Sequence, residues 1–334
     1  MFDGLRSATP VVLPDAPRMP PMNPRQFLNR KPRTVATAGF IVLIVLAAVA
    51  TRIYLDTRCS ACAPVGIHDI PPSNFALIRG SVELETRFTE AGFDPAAGHP
   101  KAWPRIYVRS LPTDLGAVGD LDRRKQLFTL IVLPQVLRLN EAILADRHRM
   151  VSLWKRSDAG EDLTDDDFRW MAATARRYGT PPDDRRSLLR RLDIVPPGLA
   201  LAQASIESGW GTSRFARGGN AIFGQRTYDP DGYGIRPDDV ESPAFKVKAF
   251  PSLMRSIWGY MLTLNIHPAY SDFRDARARA RRTNDAFDSM ALARTLTRYS
   301  EKGQTYVNLV REVIAVNDFA RLDSAHLTPA PPPR

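Results

Sequence analysis

The sequence has few of the residues that build disulfide frameworks or metal cages. Its 334 residues include only two cysteines and five scattered histidines. Two cysteines cannot make a disulfide-stapled scaffold or a four-thiolate zinc site, and no histidine spacing is typical of a metal site. We therefore expect that the protein uses no metal and no other cofactor.

The composition nevertheless supports a folded protein. Hydrophobic residues make up 44% of the chain, and 15 Phe, 9 Tyr and 5 Trp can fill a core. The length allows about two compact units plus tails. The net charge is +10, from 46 basic and 36 acidic residues. Anionic partners such as nucleic acid, a membrane surface or an acidic polymer therefore have to be considered.

The first 33 residues differ from the rest of the chain. They contain seven prolines, six basic residues, two acidic residues and little apolar periodicity. This composition is typical of an extended segment that cannot bury a core, so residues 1–33 are predicted to be a disordered cytoplasmic tail. The tail supplies +4 of the net charge and leaves +6, so the remainder is only mildly basic.

Residues 34–50, TVATAGFIVLIVLAAVA, form an uncharged run of 17 residues. Extended to residue 55, the run can cross a bilayer if Arg52 places its charged group at the interface. Basic residues concentrate before it. This predicts a single-pass anchor in the cytoplasmic (inner) membrane, with the C-terminal part periplasmic or otherwise extracytoplasmic. The alternative is a signal peptide cleaved after Ala48-Val49-Ala50, although the preceding region is long for one.

Residues 56–104 are predicted to be a linker, and they include Cys59-Ser60-Ala61-Cys62. A small disulfide loop or two idle thiols are favoured over a thioredoxin-like motif, because no strand precedes the pair and no helical pattern follows it. Metal binding together with His68 is the least favoured interpretation.

From about residue 105 the apolar pattern becomes denser. A strand-like run at 106–108 opens a helical subdomain predicted over 105–178, and helical spacing of apolar residues continues after residue 245. Residues 274–282 include five arginines. A solvated helix face is favoured over a nucleic-acid patch, because no aromatic residue lies among these arginines. Residues 322–334 are predicted to be a disordered tail.

Residues 194–224 carry the most chemical information. Pro197 suits a first helical turn and Gly209 suits a helix end, so a helix is predicted from Pro197 to Ser208. In its last turn Glu207 shares a face with small residues, and its carboxyl is therefore expected to be partly buried. Burial and the negative end of the helix dipole raise the pKa of such a carboxyl, which suits a general acid.

Trp210, in the glycine-flanked turn that follows, could present its ring to a sugar. Taken alone, however, a single helical glutamate is usually solvated at the surface, and a single tryptophan usually lies in a core.

Two motifs together change this balance. Glu207-Ser208-Gly209-Trp210-Gly211 and Asn220-Ala221-Ile222-Phe223-Gly224 resemble the glucosaminidase domain of glycoside hydrolase family 73. That family has a lysozyme-like α+β fold and cleaves bacterial cell-wall glycan at N-acetylglucosamine linkages. Segments at 111–115, 265–270 and 298–303 are similar to the Bax-like branch of bacterial proteins. The resemblance covers about residues 105–317.

The resemblance implies roles for five residues. Glu207 occupies the position of the catalytic glutamate, and Tyr299 matches a tyrosine that lines the active site. Trp210, Asn220 and Phe223 lie in the matching motifs and are expected to bind the substrate.

A second acid is expected in the β-lobe that follows the motifs. The candidates are Asp231, Asp238, Asp239 and Glu241, of which Glu241, just before a strand-like run, is favoured. Glu207 would protonate the glycosidic oxygen, while either a second carboxylate activates water or the substrate's 2-acetamido oxygen attacks. The sequence leaves both routes open.

These inferences predict a mostly helical α+β protein. A lysozyme-like glucosaminidase domain over 179–321, with a small β-lobe, follows a helical segment and an N-terminal transmembrane helix. The predicted protein is a monomeric, membrane-anchored peptidoglycan hydrolase of endo-β-N-acetylglucosaminidase type. It would act on glycan strands and bind no nucleic acid. The alternatives are a non-catalytic glycan-binding or scaffolding module, and a membrane-anchored binder of nucleic acid or lipid.

Overall fold

The computed structural model describes residues 75–76, 78–94, 100–229, 231–237 and 245–330. The predicted N-terminal tail, the predicted anchor over 34–55 and the Cys59-Cys62 pair lie outside these residues. Everything described below belongs to one compact unit, Ala61–Arg334.

Ten α-helices make up most of the described structure. In chain order they are α1 (Ser81–Glu90), α2 (Leu121–Asp158), α3 (Asp165–Arg177), α4 (Arg185–Arg191), α5 (Pro197–Ser208), α6 (Arg214–Gly219), α7 (Leu253–Ile266), α8 (Ser271–Thr283), α9 (Ser289–Ala293) and α10 (Gln304–Val316). Short 3-10 helices cover Leu115–Ala117, Pro268–Tyr270 and Phe319–Ser324.

Seven short strands in the described residues form three small sheets. Two are parallel pairs: β1 (Phe75–Ala76) with β3 (Tyr107–Val108), and β2 (Ala102–Trp103) with β7 (His326–Leu327). The third is antiparallel, in the order β4-β6-β5, and its strands are β4 (Arg226–Thr227), β5 (Gly234–Ile235) and β6 (Lys246–Lys248). This sheet confirms the small β structure predicted after the motifs.

Helix α2 is the longest element, with 38 residues. Asp120 caps its first turn, because its side chain accepts hydrogen bonds from the backbone N–H groups of Asp122 and Arg123. Within the described ranges it is the one helix long and apolar enough to cross a bilayer, yet 78% of its apolar window is buried inside the fold. We interpret α2 as a core helix, whose partners are α5, α7 and other protein elements rather than lipid.

Two segments belong to the fold although the sequence predicts a linker and a disordered tail there. Helix α1 buries Leu84 and Phe88 in the core. Strand β7 buries Leu327, and its His326 N–H donates to the carbonyl of Lys101 at 2.8 Å. Helix α1 buries two apolar side chains at the i, i+4 spacing of a helix face, and β7 is held by one apolar side chain and by backbone hydrogen bonds to distant residues. So few apolar positions are too short a pattern to predict either element.

Helix α8 carries the five arginines of residues 274–282. Arg274 and Arg277 are buried, and their guanidinium groups donate to main-chain carbonyls, including those of Leu264, Asp193 and Ile194. A solvated helix face was therefore the wrong prediction for these two residues. The acceptors of Arg277 lie more than 80 residues earlier in the chain, whereas Arg274 donates to the end of α7, 10 residues away.

Candidate active site

Helix α5 fixes the position of Glu207. Its bounds, Pro197–Ser208, confirm the predicted helix, and Gly209 ends it in the left-handed conformation with a φ of 58°. Nearly every residue of α5 is buried. At Gly198 the backbone of Phe319 comes so close that a Cβ would lie 2.3 Å from its carbonyl oxygen. Because packed protein surrounds α5, the backbone at Glu207 is rigidly placed.

The carboxyl of Glu207 is half-buried, as the sequence predicts. Its Oε1 accepts a hydrogen bond of 2.9 Å from the hydroxyl of Tyr306. Burial raises the pKa of this carboxyl, and the effect outweighs the opposing influences of the Tyr306 hydrogen bond and the positive charge of Lys302. Glu207 therefore keeps its proton to a higher pH than a solvated glutamate does.

A chain of hydrogen bonds continues from Glu207 into the core. Gln203, one helical turn earlier, donates from Nε2 to the hydroxyl oxygen of Tyr306 at 3.0 Å. The Oε1 of Gln203 accepts from the hydroxyl of Tyr260 at 2.7 Å. Because the Tyr306 oxygen accepts from Gln203, its proton points to Oε1 of Glu207. This assignment leaves Oε2 to carry the acid proton.

Aromatic rings surround the carboxyl. Tyr299 stacks on Tyr306 with ring centroids 5.3 Å apart, and Phe223 stacks on Tyr260 at 3.9 Å. Burial, reinforced by the nearby Glu207 and neighbouring tyrosines, raises the pKa of the Tyr260, Tyr299 and Tyr306 hydroxyls. All three therefore remain protonated near neutral pH and can donate hydrogen bonds.

Gly224 borders the second carboxyl oxygen. It has a φ of +59°, and a Cβ at this position would lie 3.4 Å from Oε2 of Glu207. The left-handed conformation and the close approach both suit glycine. The arrangement thus combines a rigidly placed carboxyl, one oxygen fixed by Tyr306 and an acid proton on the other oxygen. This is the chemistry of a general acid.

Tyr299 stacks on Tyr306, the tyrosine that donates a hydrogen bond to Glu207. Its own hydroxyl makes no hydrogen bond to another residue in the described ranges, and its side chain is half-buried. The hydroxyl is thus available to a ligand. Its catalytic role stays a prediction.

Trp210 contacts a different part of the fold. Its ring lies against Phe128 at 5.8 Å and Phe319 at 6.1 Å between centroids, and the ammonium group of Lys125 is 5.5 Å from its centroid. The residue has a positive φ of 55° and is half-buried. Trp210 therefore packs against the core, and its binding of substrate stays a prediction.

The other two motif residues, Asn220 and Phe223, contact other residues of the fold next to the site. Asn220 ends α6 in the left-handed conformation, and its Nδ2 donates to the carbonyl of Phe250 at 2.9 Å. Phe223 is buried beneath Tyr260. Contact of either residue with a substrate stays a prediction, whereas their contacts within the fold position the turn that contains Gly224.

The second acid is not located by the structure. Asp238, Asp239 and the favoured Glu241 lie outside the described residues. Asp231 is described and exposed, in the loop between β4 and β5, where its N–H donates to the side chain of Asp229. All four residues stay candidates.

Sequence reasoning missed Tyr306, Tyr260 and Gly224 as parts of the site. A signal existed for Gln203, which the helical spacing places on the same face as Glu207. Tyr306 and Tyr260 follow the motifs by many residues, and no local pattern connects them to Glu207. Among the residues the structure describes, no cluster of three or more His, Cys, Asp or Glu side chains could hold a metal ion.

Comparison with known proteins gives two matches. Residues 184–318 match the glucosaminidase family, described as mannosyl-glycoprotein endo-beta-N-acetylglucosaminidase. Protein bax of Escherichia coli (strain K12) is 33% identical over 227 residues, which cover 65% of this chain and 77% of the relative. No solved structure is significantly similar to the chain. The chain therefore belongs to the Bax-like proteins, and its C-terminal part is a glucosaminidase domain of the glycoside hydrolase type.

Proposed function

We propose that this protein is an endo-β-N-acetylglucosaminidase that cleaves β-1,4 bonds in peptidoglycan, with Glu207 as the general acid. One observation carries the proposal: the Glu207 carboxyl has a raised pKa and is held by Tyr306 at the end of a buried helix. The glucosaminidase family domain spans this residue.

The acid step follows from the hydrogen-bond geometry. Tyr306 occupies Oε1, so Oε2 is the oxygen that delivers a proton to the glycosidic oxygen as the bond to C1 breaks. The fixed orientation limits the positions that the scissile bond can take. The hydroxyl of Tyr299 is a candidate donor to the sugar, because no protein group in the described ranges occupies it.

The opposite face of the sugar needs a second group. A carboxylate that activates water would lie roughly 6.5–9.5 Å from Glu207. Such a carboxylate would come from Asp231 or from residues 238–241 in the β-lobe. In the alternative route, the 2-acetamido oxygen of the substrate attacks C1, and no second protein acid is required.

The β-lobe offers surfaces for the glycan. Tyr228 is 69% exposed and Tyr233 is 74% exposed, and both flank the strands of the antiparallel sheet. Sugar rings pack their C–H faces on such aromatic rings. We place the glycan strand along this lobe, leading to Glu207.

The predicted location fits the proposed substrate. Peptidoglycan lies outside the cytoplasmic membrane, and an N-terminal anchor over 34–55 would hold the catalytic domain on that side. The mildly basic remainder of the chain would be attracted weakly to an anionic wall. The anchor and its orientation are inferred from the uncharged run and its basic flank in the sequence.

The test is hydrolysis of purified peptidoglycan by the full chain, with a zymogram and mass spectrometry of the released muropeptides. Wild type and the control Glu312→Gln, an exposed glutamate on α10, should clear the gel. Glu207→Gln should not. Products with a reducing-end N-acetylglucosamine are expected, and a reducing-end N-acetylmuramic acid would instead indicate a muramidase. Glycan binding without clearing by wild type would favour the non-catalytic module.

A further inference from the structure

An arginine-rich groove lies at the opposite end of α5 from Glu207. It is a cavity of about 590 Å³ between α4 and α8, next to Asp193. Helix α5 has 12 residues and is about 18 Å long, so the groove is separate from the candidate active site. We call it the arginine groove because six arginines line it: Arg147, Arg186, Arg190, Arg279, Arg281 and Arg282.

Three of these arginines already have partners in the fold. Arg281 donates from Nη2 and Nε to the two carboxylate oxygens of Asp193, at 2.7 and 3.1 Å. Arg190 pairs with Asp275. Arg147 donates to main-chain carbonyls and lies 3.7 Å from the Asp193 carboxylate. Both acidic side chains of the groove, Asp193 and Asp275, are therefore already paired with arginines.

The other three, Arg186, Arg279 and Arg282, are exposed. In the described part of the chain their guanidinium groups make no ion pair and no hydrogen bond. Six arginines against two aspartates give the lining a formal charge of +4. The buried Arg277 beneath the same region adds a further positive charge. Positive charges gathered in a concave site raise the local concentration of anions.

We propose that the arginine groove binds a phosphate group, carried by an anionic phospholipid headgroup or by a free phosphate compound. The volume lies in the range of small-ligand sites, which is about 300–1,000 Å³. The groove is also lined by Leu189 and Ala278, which can contact an apolar part of a ligand.

Phosphate fits this arrangement better than a carboxylate does. A guanidinium group binds either anion with two parallel hydrogen bonds. A carboxylate has only two oxygens, and in Asp193 both of them accept hydrogen bonds from Arg281. A phosphate has more acceptor oxygens and can therefore bind more than one of the three exposed guanidinium groups at once.

The test compares three forms of the full chain in neutral detergent by isothermal titration calorimetry. They are wild type, the groove variant R186Q/R279Q/R282Q and the control R87Q/R176Q/R321Q, which removes the same charge from exposed positions elsewhere. The probes are inorganic phosphate and dihexanoyl phosphatidylglycerol below its micelle concentration. A short single-stranded DNA is a third probe. Thermal unfolding checks that the variants fold.

Wild type and the control should bind phosphate with equal affinity, and the groove variant should bind at least about tenfold more weakly. Tighter binding of the lipid than of phosphate identifies the headgroup as the source, and the reverse identifies a free phosphate compound. Absence of phosphate and lipid binding, an equal loss in both triple variants, or groove-dependent binding of DNA alone would overturn the inference. Peptidoglycan hydrolysis should be unchanged in the groove variant, so this inference stands or fails independently of the proposed function.

Discussion

Tyr306 and Glu207 are 99 residues apart in the sequence, and one hydrogen bond of 2.9 Å joins their side chains. Tyr306 also accepts a hydrogen bond from Gln203 on the same helix as Glu207. Tyr306 therefore fixes the orientation of the Glu207 carboxyl relative to α5, the helix that contains both Glu207 and Gln203. The bond favours the ionised form of Glu207, while burial favours the protonated form.

Tyr306→Phe should move the pH dependence of hydrolysis. Loss of the hydrogen bond removes an influence that lowers the pKa of Glu207, so the alkaline limb of the kcat profile should shift to higher pH. The protonated carboxyl also loses its orientation, and a hydrogen bond to a neutral group contributes about 0.5–1.5 kcal/mol, so kcat at the pH optimum should fall by up to about tenfold. The measurement is kcat against pH with peptidoglycan as substrate.

Tyr178→Phe is the matched control for that variant. Tyr178 is buried, and its hydroxyl has no hydrogen-bond partner among the described residues. Its removal should leave the pH profile and kcat unchanged, with equal or slightly higher stability. An unshifted profile in Tyr306→Phe would contradict the proposed role of the Tyr306 hydrogen bond.

Gly224→Ala should reduce peptidoglycan hydrolysis, and its loss of stability should be no greater than that of a matched glycine variant elsewhere. The new methyl group would lie 3.4 Å from Oε2 of Glu207, the oxygen proposed to carry the acid proton, and the positive φ adds strain of roughly 1–2 kcal/mol. Gly160→Ala carries the same kind of strain, with a φ of +77°, but its Cβ would meet no atom within 4 Å. The two variants should lose similar amounts of unfolding free energy, and only Gly224→Ala should lose hydrolysis. Equal activities would contradict the proposal that the scissile bond approaches Oε2 next to Gly224.

Lys302→Gln should shift the same alkaline limb by charge alone. The ammonium group of Lys302 lowers the pKa of Glu207, so its removal should raise that pKa and extend activity to higher pH. Lys302 is exposed, and the shift should therefore shrink as salt is added. Lys302→Arg keeps the charge and should behave like wild type. A shift of the limb to lower pH would contradict the assignment of the limb to Glu207.

The sequence predicts the parts of the site that depend on local patterns. Pro197 and Gly209 set both ends of α5, and helical spacing places Gln203 on the face of Glu207. Tyr306 and Tyr260 depend on the packing of α10 and α7 against α5, which no local pattern encodes. The same holds for the burial of Arg277, whose acceptors lie more than 80 residues earlier in the chain. For Trp210 the local pattern is misleading. Its glycine-flanked turn suggests an exposed ring, but Phe128 and Phe319 contact that ring in the fold.

Asp193→Asn should destabilise the fold in a pH-dependent manner. Burial raises the pKa of Asp193, but the hydrogen bonds of Arg281 and the charges of Arg277 and Arg147 outweigh it and bring this pKa below its usual range. A carboxyl with a lowered folded pKa contributes stability above the unfolded pKa, and that stability is lost as the pH falls toward the folded pKa. Removal of one partner of a fully buried ion pair costs about 3–5 kcal/mol. Because the Arg281 side chain is 37% exposed, we expect a smaller loss at pH 7.

Urea unfolding of wild type and Asp193→Asn at several pH values checks the sign. The difference in unfolding free energy should be largest near neutral pH and should narrow below about pH 4, where the Asp193 carboxyl of the unfolded wild-type chain starts to take up its proton. Asp183→Asn, at an exposed aspartate in the turn before α4, should track wild type throughout. A difference that stayed constant with pH would mean that Asp193 acts through its shape rather than its charge. The arginines around it would then be held by main-chain carbonyls alone.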